Sequence, residues 1–372
     1  MRRRRFIQSG LIGFGGLLGG ACSDITSPSN NDVAQQGDLG HWRMPDEAHP
    51  HRRTWMAFGA NEAIWGAALV PQVRIDLARI AQTIAEFEPV TMLAPPGDLD
   101  LARDLVGSSV ELIAAPIDDL WMRDTGPVFA KGDDSFAGVD FNFNGWGNKQ
   151  EHRQDAQVAT FVTEQAGVQT LRTDLVMESG SIEVDGEGTA IIAESCVLNN
   201  NRNPGWGTRD VERELGRLLG ITKVIWLPGV AGHDITDGHT DFYARFAGPG
   251  VVVAGLDNDP DSIDYDVTRR HLDILRSATD ARDRRLRVEV LNAPPTVRQR
   301  FADDDFAAGY VNFYVCNGAV IAPRFGDPHT DEAAAHTLQD LFPNRRVIQI
   351  DVDAIAAGGG GIHCTTQQEP AD

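Results

Sequence analysis

The chain is short of positive charge, short of cysteine, and beyond its first residues short of any apolar run that could cross a bilayer. Against 54 Asp and Glu stand 33 Lys and Arg, a formal charge of -21 over 372 residues. Such a surface repels phosphate backbones and anionic headgroups, which argues against nucleic acid as a partner. A small cation suits it better, although excess surface carboxylate is commonly no more than a device for solubility. The four cysteines, Cys22, Cys196, Cys316 and Cys364, are too few and scattered for a disulfide scaffold, and no C-x-x-C pair suggests zinc. Cys196 in AESCVLN and Cys316 in NFYVCNGAV sit in apolar, strand-like runs and read as small buried hydrophobes. What the chain does have is buriable surface: 42% of its residues are hydrophobic, enough for one large domain or two smaller ones.

The exception to the missing apolar run is residues 1–21. MRRRRFIQSG is followed by LIGFGGLLGGA, which is too short for a stable membrane span and reads as a signal peptide. The arginine pair before Phe6 and Ile7 resembles signals of the twin-arginine (Tat) pathway, which exports folded proteins. GGAC resembles a lipobox, with Gly19 where Leu or Val is usual, so Cys22 is the candidate for lipidation. Cleavage before Cys22 removes four Arg and no acidic residue, deepening the charge from -21 to -25. Residues 22–40 are polar and aperiodic, a flexible linker. The expected location is therefore the periplasm or cell envelope, with membrane contact only through the signal or a lipid anchor and a folded body over 41–372.

In that body, Val73, Leu77, Ile80, Ile84 and Phe87 recur at helical spacing, and VTMLAPP then reads as a buried strand stopped by Pro95. The pairing returns with a helix around 151–166 before TAIIAESCVL, TRDVERELGRLLG before KVIWLPG, VTRRHLDILRSA before RLRVEVLNA, and EAAAHTLQDLF before RRVIQIDV. About five such units predict an α/β fold built from a repeated module.

Three segments break this pattern of packing residues: DDLWMRDTGP, GHDITDGHTDFYARF and GGGGIHCTTQQEP. In the last, four glycines let the backbone turn sharply or approach a ligand, and Cys364 among small polar neighbours is the candidate nucleophile. His363, adjacent in sequence, would point away in an extended segment and is the weaker base. His239 in DGHTD is the better one: in an extended segment it faces the same way as Asp241, and nearby carboxylates favour its imidazolium form. H-x-D alone equally describes a metal site or a surface pair, and His233 is the spare histidine of this loop. Trp121 and Asp124 in WMRDTGP join an aromatic face to a carboxylate, a pairing that holds guanidinium or ammonium groups. The plainer alternative is a turn in which Arg123 and Asp124 pair with each other.

Together these segments resemble agmatine deiminases and the related bacterial peptidylarginine deiminases, a branch of the guanidino-group-modifying superfamily. The resemblance runs in order through RMPDEAHPHRRTWMAF, WMRDTGP, ESGSIEVDGEGT, NNNRNPG, TDGHTDFYARF and GGGGIHCTTQQEP. It implies a pentein-like fold, a five-bladed, pseudo-fivefold α/β propeller. By position it implies Cys364 as nucleophile, His239 as acid and base, Glu178 as the partner of that histidine, and Asp124 and Asp241 as the guanidinium clamp beside Trp121. Ser179 stands where the family commonly has Gly. The implied chemistry is hydrolytic deimination through an amidino-cysteine intermediate, without metal or organic cofactor.

The implied substrate is a small guanidino cation, agmatine first, because no basic cluster in these motifs would receive a substrate carboxylate. Export favours the alternative, peptidyl arginine converted to citrulline. Two other readings are a lipoprotein that binds polyamines or guanidino compounds without turnover, and a thiol amidase, which would not need two aspartates. Oligomeric state, including a homo-oligomer, is left open.

Overall fold

The computed structural model describes residues 42–302 and 306–372; the expected signal segment, the linker and Cys22 lie outside the described residues. Apolar periodicity becomes structure much as the pattern predicts. Val73, Leu77, Ile80 and Ile84 are buried along the helix Val70–Ala85, and Phe87 lies just beyond its end, packed against the same core. The following strand Val90–Ala94 is buried throughout and stops before Pro95.

The same connection recurs. Helices Val158–Ala166, Thr208–Leu219, Asp264–Ser277 and Pro328–Leu341 lead to strands Gln169–Arg172, Lys223–Leu227, Arg287–Asn292 and Arg346–Ile350. Each of these strands lies parallel to the one before its helix, because a parallel neighbour can be reached only by a crossover. A short antiparallel strand completes each sheet on the other side. The described residues thus form a mixed α/β fold of five small sheets, four of three strands and one of four, none closed on itself. The four-stranded sheet joins the two ends of the body: its order is Gln367–Pro370, His51–Ala57, Val90–Ala94, Val110–Ala114.

Two local expectations are corrected. Gln169–Arg172 and Ile182–Val184 intervene between the second helix and TAIIA; only Leu171 of the first is buried, so it shows no apolar alternation. TAIIAESCVL is not one strand. It ends at Ala193 and turns into the short helix Glu194–Val197, so Cys196 is buried in a helical turn, whereas Cys316 does sit in the strand Tyr314–Cys316.

A buried ion network ties all five sheets together. Glu47, just before the first sheet, accepts from Arg123 Nη2 at 3.1 Å, Arg245 Nη2 at 2.7 Å, His363 Nε2 at 2.9 Å and the Val315 amide at 2.8 Å. Arg245 also donates to Glu183 Oε2 and to the Phe313 carbonyl, both at 2.7 Å. Removing one partner from such a network leaves uncompensated charge in the interior, so Glu47→Ala is expected to cost about 3–5 kcal/mol of stability. Urea unfolding checks this, and a loss under about 1 kcal/mol would show that the network is not what joins the sheets.

Candidate active site

In four sheets the antiparallel strand is entered through a single helical turn: Met122–Thr125, Ser179–Ser181, Thr240–Phe242 and His363–Thr365. These turns or their first flanking residue carry Trp121 and Asp124, Glu178, His239 and Asp241, and Cys364. The fifth sheet contributes Asn312, two residues before the strand Tyr314–Cys316. Residues far apart in sequence therefore reach one place because they hold the same position in repeated units. Between them lies a small cavity lined by Trp121, Asp124, Trp146, Gln150, Ile235, Thr236, His239, Phe242, Gly358, Gly359, Gly360 and Cys364.

Glu178 and Asp241 stand behind the wall, each 1% exposed or less. His239 Nε2 donates to Glu178 Oε2 at 3.1 Å, and its Nδ1 lies 3.7 Å from Asp124 Oδ1. Asp124 Oδ2 accepts from Trp146 Nε1 at 2.9 Å. The Cys364 thiol donates to Asp241 Oδ2 at 3.4 Å, and Asn312 Nδ2 donates to the sulfur at 3.2 Å. Gly180 makes this approach feasible: a Cβ there would meet His239 Nδ1 at 2.6 Å and Asp124 Oδ1 at 2.8 Å. In the glycine run, a Cβ on Gly360 would enter the Trp121 ring at 2.2 Å.

DGHTD is not extended. His239 is, but Thr240–Phe242 form a turn, so His239 faces Glu178 and Asp124 while Asp241 faces Cys364. His363 and Cys364 share a turn rather than opposing sides of a strand; His363 Nδ1 holds Asp241 at 2.9 Å and its Nε2 holds Glu47. Arg123 does not pair with Asp124 but with Glu47 and Gln368. His233 does not line the cavity.

Sequence reasoning missed four contributors. Arg202, within the NNNRNPG motif, donates from Nε to Glu178 Oε1 at 3.1 Å and from Nη1 to Asp237 at 2.6 Å. Asn312 and Glu47 act only through distant contacts. Trp146 sits in a left-handed backbone conformation at φ 56° between Gly145 and Gly147, and the cluster FNFNGWGN was the available signal for a strained loop.

Burial pushes the Glu178 carboxyl up, but Arg202 and His239 outweigh it and hold it at about 2. Asp241 is likewise raised by burial yet held at about 2 by His363 and His239. Asp124 lacks such compensation: burial, with Glu178 and Asp241 nearby, lifts it to about 6 against the pull of His239. Burial opposes charging His239, but Asp124 and Glu178 raise its pKa well above the usual range. The Cys364 thiol is pushed far up, by burial first and then by Asp241 and Asp124. Among the described residues, Oδ1 of Asp124 and Oδ1 of Asp241 are both buried without a hydrogen-bond partner, and no Lys or Arg lines the cavity. Lys149, nearby, turns its Nζ to Asp237 at 2.7 Å. Two carboxylate oxygens without hydrogen-bond partners near a thiol, one of them 3.7 Å from an imidazolium nitrogen, suit a planar cation that donates to both and is attacked at its central carbon.

Because the folded pKa of Glu178 lies near 2, below its ordinary 4.5, its contribution to stability is present above pH 4.5 and lost as pH falls towards 2. The stability difference between wild type and Glu178→Gln is expected to shrink over that window, as measured by denaturant unfolding at each pH; a constant difference would contradict the ion pairing.

Residues 43–370 match the family model of the Porphyromonas-type peptidyl-arginine deiminase. A Pseudomonas aeruginosa agmatine deiminase is 38% identical over 356 residues, covering 89% of this chain and 96% of the relative. A Streptomyces coelicolor protein assigned as an agmatine deiminase is 44% identical over 338 residues, 88% of this chain and 99% of the relative. The solved agmatine deiminase of Enterococcus faecalis superposes with a TM-score of 0.83 at 30% identity, covering 89% of this chain and 96% of that one. By sequence and by fold, the chain belongs to the Porphyromonas-type peptidyl-arginine deiminase family.

Proposed function

We propose that this protein hydrolyses agmatine to N-carbamoylputrescine and ammonia, acting as a hydrolase on the C–N bond of a linear amidine. The observation that carries the reading is the pair of buried oxygens on Asp124 and Asp241, without hydrogen-bond partners among the described residues, near Cys364 and beside a cavity that no described Lys or Arg lines to receive a substrate carboxylate. The relatives named agmatine deiminase support the same substrate.

In this reading the guanidinium donates to Asp124 and Asp241 and stacks near Trp121. Its positive charge cancels the two carboxylates that keep the Cys364 thiol protonated, so substrate binding itself favours the thiolate, the thiol proton leaving to solvent. The thiolate attacks the guanidinium carbon, and Asn312 continues to donate to the sulfur. His239 carries the proton needed by the departing nitrogen on Nδ1, the ring nitrogen not engaged by Glu178, and ammonia leaves. Water then adds to the amidino carbon, giving a proton to the neutral imidazole, and the carbon–sulfur bond breaks to release the ureido product.

The recurrence of one strand topology in five sheets supports a pseudo-fivefold, five-bladed α/β propeller with the site at its centre. The arginine-rich opening and GGAC support export through the twin-arginine route with Cys22 as a lipid anchor. Export and the family name favour a second substrate, peptidyl arginine.

Ammonia and ureido-product release from agmatine, free arginine and an arginine-containing peptide, with Cys364→Ala as control, tests the reading. Agmatine turnover reduced by about 10⁴-fold or more in the variant is expected; peptide turnover alone would establish the second substrate, and no turnover of any would sink deimination. Asp124 clamps only as the carboxylate, and its pKa lies near 6. The value of kcat/KM should therefore fall about tenfold per pH unit below 6. A flat profile down to pH 5 would remove Asp124 from the clamp. Gly180→Ala should cost about a hundredfold in kcat/KM with the fold retained by circular dichroism, because misplacement by an ångström is that costly in a near-attack geometry; an unimpaired variant would refute the close approach.

A further inference from the structure

The side of His239 that faces away from the cavity holds a group of atoms that the deimination chemistry leaves unexplained. Glu178 Oε2 accepts from His239 Nε2 at 3.1 Å and from the Cys196 thiol at 3.4 Å. All three side chains are buried, and Glu178 Oε2, His239 Nε2 and Cys196 Sγ lie within 4.8 Å of one another. We propose that these three atoms form a binding site for a thiophilic divalent cation, zinc in the first instance, and that the ion inhibits the enzyme by capturing His239.

The donor set is the one zinc prefers: thiolate, imidazole and carboxylate. With metal bonds of about 2.0 Å to N and O and about 2.3 Å to S, tetrahedral coordination places neighbouring ligand atoms about 3.3 Å and about 3.5 Å apart. The observed edges of 3.1 and 3.4 Å need little adjustment. A fourth position can be taken by water.

The charge balance also fits. Burial keeps the Cys196 thiol protonated, and Asp124 and Glu178 keep His239 protonated. A divalent ion entering the cluster displaces two protons, one from the thiol and one from Nε2, so the net charge of this buried region does not change. Arg202 remains compensated. Its Nε stays on Glu178 Oε1 and its Nη1 on Asp237; only the longer contact from Nη2 to Oε2, at 3.4 Å, has to yield. A metal on Nε2 leaves His239 a neutral imidazole whose remaining Nδ1 proton no longer titrates near neutral pH, so it can neither protonate ammonia nor accept from water. Because Nε2 faces away from the cavity, inhibition is expected to be non-competitive with substrate.

The inhibition rests on the assignment of His239 as acid and base; the metal site does not. The test is therefore direct binding: titration of the purified protein with zinc against a chromophoric chelator, and with cobalt(II) by absorption, for wild type, Cys196→Ser and Cys364→Ala. One zinc per chain is expected in wild type and in Cys364→Ala, weakened about a hundredfold or more in Cys196→Ser. A sulfur-to-cobalt charge-transfer band should follow the same order. Affinity should tighten about a hundredfold per pH unit while both groups are protonated, the signature of two released protons. Zinc lost in Cys364→Ala but kept in Cys196→Ser would put the ion on the nucleophile and overturn the proposal, as would zinc binding with no pH dependence. Serine keeps a hydroxyl donor toward Glu178, and unchanged circular dichroism separates loss of the ligand from loss of the fold. Zinc bound through Cys196 in a protein that deiminates nothing would refute the proposed function and leave the metal site standing.

Discussion

The interior is organised by the need to keep one buried carboxylate, Glu47, fully compensated. It is 7% exposed, and burial alone would push its carboxyl up; Arg245, His363 and Arg123 more than reverse this and hold it well below the usual range. Its partners come from different units of the fold, so the sheets must dock in one arrangement for the charge to be satisfied. Replacing such a network with apolar residues can be neutral or stabilising in other proteins, which suggests that what it provides here is geometry. Glu47 grips His363, His363 grips Asp241, and Asp241 meets the Cys364 thiol. The orientation of that carboxylate is therefore set by the packing of the whole body.

Repeated helix and strand pairs were legible because apolar spacing switches period wherever the chain changes element, as in Val73 to Ile84 followed by Val90–Ala94. The single turns that position the site were not, since four residues carry no period. The facing of side chains in DGHTD and IHCTT could accordingly be argued only for the case of an extended segment, and AESCVL looked strand-like. Residue types at the site were visible as dense polar clusters among glycines. Their division of labour was not: which carboxylate Arg123 chooses, or that Arg202 belongs to Glu178, depends on contacts between residues 76 and 24 positions apart. Spacing in sequence says nothing about such pairs.

His239 compensates only part of the negative charge that Asp124 and Asp241 bring to the cavity. Asp124 titrates near 6 and the thiol is kept neutral, so the resting site is unreactive toward neutral electrophiles. A planar cation relieves both strains at once. In the proposed mechanism, discrimination against amides and esters follows from charge, because a positively charged substrate supplies the field in which the sulfur ionises.

The strand that ends the chain, Gln367–Pro370, pairs antiparallel with the one that begins the body, His51–Ala57, and Cys364 lies in the turn just before it. The turn that holds Cys364 is therefore anchored by a contact between residues far apart in the sequence, which folding can make only by closing a long loop. Asp124 and His239 sit before strands of two other sheets, so the sulfur takes its place beside them only once that long-range pairing has formed.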